Sequence, residues 1–123
     1  MNHDEGGQVA TRNIPCVKEF RIAAGRRGTK LIAPHFTRNW GLAKPGLVLS
    51  CRAKRTYEAC ARGVHAWRVK NWQQYKFRFA PFGSRVAWHC VIPRGTWYHI
   101  SVDNDKYRAD AIRLVREVKG SRT

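Results

Sequence analysis

Between residues 20 and 102 this chain has almost no acid. Glu58 stands alone there against sixteen lysines and arginines. That scarcity argues against paired-carboxylate acid–base chemistry, because Asp110 or Glu117 would have to fold back to reach Glu58. No apolar run approaches the ~18 residues of a membrane span, so no membrane partner is expected. No two of Cys16, Cys51, Cys60 and Cys90 stand at Cys-x2-Cys spacing, so a zinc ribbon or finger is not supported. His89 and Cys90 are neighbours that would point to opposite faces of a strand, which keeps both from one metal. Gly25-Arg-Arg-Gly28 lacks the lysine and the spacing of a phosphate-cradling loop. Met1 to Gly7 is polar and acidic, unlike a secretory signal. The expected setting is therefore cytoplasmic and reducing, with cysteines as buried thiols rather than disulfides. Internal repeats and low-complexity tracts are absent as well.

What is present is one domain's worth of chain. The 123 residues are 43% hydrophobic and include five Trp, five Phe and four Tyr, enough to build a core. The net charge is +16, and it is concentrated. Residues 1–19 carry −1, residues 20–102 carry +15 and residues 103–123 carry +2. A field of that size attracts polyanions, and self-repulsion makes such a partner stabilising. Arg outnumbers Lys sixteen to eight, and its planar fork suits phosphate.

Residues 1–13 read as a flexible arm, 14–119 as a basic globular domain and 120–123 as a tail. Strands are expected over 14–23, 30–36, 47–51, 64–67, 75–79, 85–92 and 96–102, from alternation and β-forming residues between Gly and Pro breaks. Residues 37–46 read as loop, 56–61 and 70–74 as helical turns, and 107–118 fits helix or strand equally. The fold class is α+β: a small β-rich domain, mainly antiparallel sheet with one or two short helices.

Three groups of cations mark a candidate surface. Arg26, Arg27 and Lys30 surround a turn. Arg52, Lys54 and Arg55, with Arg62 nearby, lie in a loop region. Arg68, Lys70, Lys76, Arg78 and Arg85 are interleaved with aromatics from His65 to Trp88. Single-strand binders combine rings that stack bases with cations that follow phosphates. At least half of these rings must serve the core in a domain this small, and Trp72 and Tyr75, beside Gln73 and Gln74, read as the exposed ones. For nucleophilic catalysis Cys60 would have to pair with His65, but no third orienting group is evident. A structural role fits them better: Gly63 frees the backbone and His65 satisfies a buried carbonyl.

The segment Cys60-Ala-Arg-Gly63-Val64-His65-Ala66 resembles the Cys-x-x-Gly-φ-His motif of a small uncharacterised domain family of bacteria and phages. That family continues with an aromatic-ended helical turn, a strand and a terminal basic strand. Their counterparts here are Trp72 to Tyr75, Arg85 to Ile92 and Tyr107 to Val118. The resemblance spans roughly residues 47–118. It implies that the last segment is a strand and that the setting is bacterial or phage; it implies no activity. A fainter similarity runs to ADP-ribosyltransferase folds, through a Gly-aliphatic-aromatic strand before a helix and a further strand. His65-Ala66 departs from that pattern, as does the want of a glutamate after Trp88 to Trp97. That likeness implies binding without the chemistry.

The function expected is a small non-catalytic accessory protein that binds DNA or RNA through its phosphate backbone. The alternatives are docking on an acidic host protein or nucleoprotein complex, and a degenerate ADP-ribosyltransferase-like protein. No catalytic residue, cofactor or metal is expected.

Overall fold

Alternation over residues 14–23 produces the longest strand of the molecule, and the rest of the fold is arranged around it. The computed structural model describes residues 7–33, 39–56, 61–75, 84–101 and 106–122. Among them the order is β1 (Gly7–Val9), β2 (Ile14–Gly25), β3 (Gly28–Ile32), β4 (Asn39–Leu42), β5 (Val48–Ser50), β6 (Val64–Trp67), α1 (Val69–Tyr75), β7 (Arg85–Ile92), β8 (Trp97–Ile100), β9 (Lys106–Ala109) and β10 (Ala111–Glu117). All pairings are antiparallel. The domain is therefore mostly antiparallel sheet with one short helix among the described residues, richer in strand than an even α+β mixture.

β2 pairs with β7 from Ile14↔Ile92 to Arg21↔Arg85. On its other edge it meets β6 at Val17↔Trp67 and then β3. The order across the sheet is β1-β8-β9-β6-β2-β7-β10-β5, with β4 attached to β3. β9 and β10 stand four places apart in that order, yet only Asp110 separates them in the chain. The sheet therefore curls until its two arms share one bent segment. At the bend the Asp110 N–H donates to the Trp97 carbonyl (3.1 Å), and its own carbonyl accepts from the Cys51 N–H (3.0 Å). No backbone group of the corner residue is left unpaired, as burial there requires.

Period-2 alternation sorts β2 into two faces. Cys16 and Phe20 face the main core with Leu31, Leu49, Val64, Val86, Ile92, Ile112 and Leu114. Each such side chain contributes about 1.5–3 kcal/mol on burial. Val17 faces the other way, into a smaller cluster with Ala87 and Trp72, where α1 lies against the sheet. Because both faces are covered, residues 16–20 are buried without a break, Lys18 and Glu19 included.

Several expectations are corrected. Part of the expected N-terminal arm is β1, paired with β8 in the register Gly7↔His99 to Val9↔Trp97. Gly7 rests on the Trp97 ring, with no room there for a β-carbon. The expected loop over 37–46 contains β4, held by β3 rather than by its own propensity. Residues 107–118 are neither one helix nor one strand but β9 and β10, bent at Asp110. The tail is anchored at Ser121, which is buried and exchanges hydrogen bonds with the Ala87 backbone. The helical turn expected over 56–61 and the strand over 75–79 fall largely outside the described residues.

Candidate nucleic-acid interface

The β2–β3 hairpin closes with the pair Gly25↔Gly28, leaving Arg26 and Arg27 as its connection. Gly28 has φ 133°, a conformation that L side chains rarely adopt, so the turn depends on glycine there. Arg26, Arg27 and Lys30 are all exposed. With Leu42 they line an open cleft of about 300 Å³. Lys30 lies along the ribbon over Gly25, where an added β-carbon would come 3.0 Å from its Cε. Three cationic side chains thus line one hollow, mostly through their aliphatic stems. The base of the hairpin is braced: Arg122 Nη1 donates to Thr29 Oγ1 (3.1 Å) while its Nη2 donates to Glu117 Oε1 (2.6 Å).

The second group sits where residues 51–56 and 61–63 cross over β9. Arg108 holds them from beneath. It is 2% exposed, and its Nη1 donates to the carbonyls of Lys54 (2.6 Å) and Arg62 (3.1 Å) while Nη2 donates to that of Thr56 (2.6 Å). With their carbonyls drawn inward, Lys54 and Arg62 are exposed, and so is Arg52, whose carbonyl accepts from Arg62 Nε (3.1 Å). Arg55 is the exception. Its two Nη atoms donate to the Asp110 carboxylate at 2.6 and 2.9 Å, and its guanidinium stacks 4.1 Å from the Trp97 ring centre. The Arg55 hydrogen bond, with help from the Ala53 N–H, holds the Asp110 carboxyl below its usual range. Arg55 therefore serves the fold rather than the surface.

The third group is only partly assembled. Lys70 is exposed on α1, while Arg68 and Arg85 are half-buried. Trp72 overturns the expectation of an exposed ring. It is 6% exposed, and its Nε1 donates to Glu19 Oε2 (3.1 Å) while Trp67 Nε1 donates to Oε1 (3.2 Å). A seven-residue helix has one face to bury, and Trp72 is the large apolar side chain on it. The Tyr75 side chain, Lys76 and Arg78 lie outside the described residues. The exposed large hydrophobics among the described residues are Val9, Val48 and Val115, none of them aromatic. The rings that reach the surface among those residues, Trp40, Trp67, Trp97 and Tyr98, are half-buried.

Further cations lie on β10: half-buried Arg113, opposite Val48 and Val91, and exposed Arg116, opposite His89. The buried alternation of Ile112 and Leu114 is the signal that would have placed Arg113 outward, once the segment is taken as strand.

The chemistry-bearing residues of the interior are engaged and quiet. His65 is pushed down to about 4 by burial, so its ring is neutral, with Nε2 donating to the Ala61 carbonyl (2.9 Å). Gly63 beside it leaves room for Arg108. Lys18 is pushed down to about 8 by burial and donates to the His65 carbonyl (2.6 Å). Cys16 faces Cys90 in register, and the hydrogen bond between them, with burial, raises the Cys16 thiol well above its ordinary value. Such a thiol stays protonated and is a poor nucleophile. Cys60 lies outside the described residues. No three His, Cys, Asp or Glu side chains among the described residues gather into a metal-holding group. No helix among them is long and apolar enough to cross a membrane.

Comparison with protein-family models, curated proteins and solved structures finds no match for this chain.

Proposed function

We propose that this protein binds nucleic acid without catalysis, gripping the phosphate backbone through the hairpin cations Arg26, Arg27 and Lys30 and the loop cations Arg52, Lys54 and Arg62. The fate of the acids carries this reading. Glu19 accepts from the indoles of buried Trp72 and half-buried Trp67, Asp110 is clamped by Arg55, and Glu117 is held by Arg122. These are the only acids among the described residues, and each is engaged by a partner within the chain. None of the six surface cations forms an ion pair among the described residues. Their field is therefore left for an external polyanion. Contacts of this kind fix position on a backbone and carry little sequence information.

The test is fluorescence anisotropy with labelled 20-nucleotide DNA and RNA, using the wild type and the triple variant Arg52→Ala, Lys54→Ala, Arg62→Ala. Expected is binding by the wild type and a loss of at least tenfold in the variant on every oligonucleotide. Unchanged affinity in the variant, or no binding by the wild type, would exclude the reading. In the second case affinity capture of an acidic protein partner becomes the next step.

A further inference from the structure

Four nucleic-acid forms share the phosphate chemistry, and the shape of the hairpin separates them. We infer that the tip of the β2–β3 hairpin enters the major groove of duplex DNA, with Arg26 and Arg27 reaching guanine edges and Lys30 a flanking phosphate. This rests on the nucleic-acid reading of the same surface.

The ribbon is slender at its end. β4 ends at Leu42, opposite Lys30, and the Ala43 N–H still bonds the Thr29 carbonyl (2.9 Å), so only the Gly25↔Gly28 end projects as two strands. The strand residues there are Gly25 and Gly28, with Ala24 and Thr29 at their base, all small. Two paired strands lie about 4.8 Å apart, and small side chains leave such a ribbon near ~10 Å across. The B-form major groove is ≈ 12 Å wide and admits a two-stranded ribbon, whereas the minor groove is ≈ 6 Å wide and does not. The A-form major groove of RNA is deep and too narrow for side chains to read.

The arginine side chains complete the reach. From the Ala24↔Thr29 pair to the turn is about two residues, or ~7 Å at ~3.3 Å per residue, and the long side chains of Arg26 and Arg27 extend beyond it. The major groove is ≈ 8.5 Å deep. Arginines at the tip would therefore meet the groove floor while Lys30 stays at the rim. The brace from Arg122 to Thr29 fixes the base of the ribbon, so little ordering is needed on entry. Recognition of a single strand would call for exposed rings, and none of the described aromatic side chains is fully exposed, Trp40, Trp67, Trp97 and Tyr98 being half-buried. At the floor, arginine meets O6 and N7 of guanine with two parallel hydrogen bonds.

The experiment compares four probes of one GC-containing sequence: 20-base-pair DNA duplex, the same duplex in RNA, single-stranded DNA and single-stranded RNA. Anisotropy is measured at one salt concentration for the wild type and for Arg26→Ala/Arg27→Ala. That variant changes only an exposed turn, and its melting temperature checks the fold. Dimethyl sulfate probing of the bound DNA duplex reads guanine N7 in the major groove and adenine N3 in the minor. The expected result is at least tenfold preference for the DNA duplex, loss of that preference in the variant, and protection of guanine N7. Equal affinity for all four probes overturns the inference while leaving backbone binding intact. So does a preference that survives in the variant, or protection of adenine N3 alone. Failure to bind any probe removes both readings together.

Discussion

Arg108 passes so close to Gly63 that a β-carbon on the glycine would lie 2.8 Å from the arginine Cγ and 3.0 Å from Ala53 Cβ. The guanidinium then reaches three carbonyls of the overlying segments. The Gly63-x-His65 part of the motif is thereby explained as structure. The glycine opens a passage for Arg108, and His65 secures the Ala61 carbonyl on the far side. What stands on the outside of this knot is the exposed trio Arg52, Lys54 and Arg62.

Gly63→Ala should destabilise the fold by about 2 kcal/mol or more, since the contact adds to the strain of φ 153° for an L residue. Arg108→Lys should cost more, about 3 kcal/mol, because one ammonium cannot satisfy carbonyls that a forked guanidinium spans. Urea unfolding followed by tryptophan fluorescence measures both. Wild-type stability in Arg108→Lys would contradict the clamp.

Trp72→Phe removes the indole N–H that bonds the buried Glu19 carboxylate. The expected loss is about 1.5–3 kcal/mol of stability, the range for a hydrogen bond to a charged group. Oligonucleotide affinity of the folded variant should stay within twofold of wild type. A drop in affinity at unchanged stability would restore Trp72 to the binding surface.

The folded and unfolded states differ in how His65 titrates. Its ring is held to about 4 in the fold against 6.5 when free. Between those values the unfolded chain carries the extra proton, so stability rises with pH across that window. The contribution is complete above pH 6.5 and is lost as pH falls through about 4. At 1.36 kcal/mol per unit this is at most about 3 kcal/mol. His89 and His99 are also lowered by burial and add in the same direction. His65→Gln keeps a donor for Ala61 and removes the titration. Thermal melts from pH 4 to 7 should therefore show a shallower slope in the variant; an identical slope would contradict the assignment.

How much of this was legible depends on the range of the forces involved. β6 and β7 could be read from the chain because alternation between Gly and Pro breaks is local, and both fall where expected. β1 could not, because it is held by the fit of Gly7 on the ring of Trp97, ninety positions away. β4 carries a glycine in the left-handed region at Gly41 and depends on its partner β3. The hairpin cations and the loop cations were legible, since turn residues and charge are both local signals. Arg108 was not: one arginine among sixteen becomes a buried clamp only because the sheet closes beneath residues 51–63. Trp72 misled for the same reason, as its polar neighbours in sequence are not its neighbours in space.

The central claim is that exposed cations, without ion pairs among the described residues, grip phosphates. The most direct measurement is the affinity for a 20-base-pair DNA duplex between ~50 and ~200 mM salt. If at least four of the six hairpin and loop cations neutralise phosphates, log K falls against log salt with a slope of about −3.6 or steeper, at −0.9 per phosphate. Removing Arg52, Lys54 and Arg62 should make that slope shallower by about 3. A slope indistinguishable from zero, or one that the Arg52→Ala/Lys54→Ala/Arg62→Ala variant leaves untouched, would contradict the account.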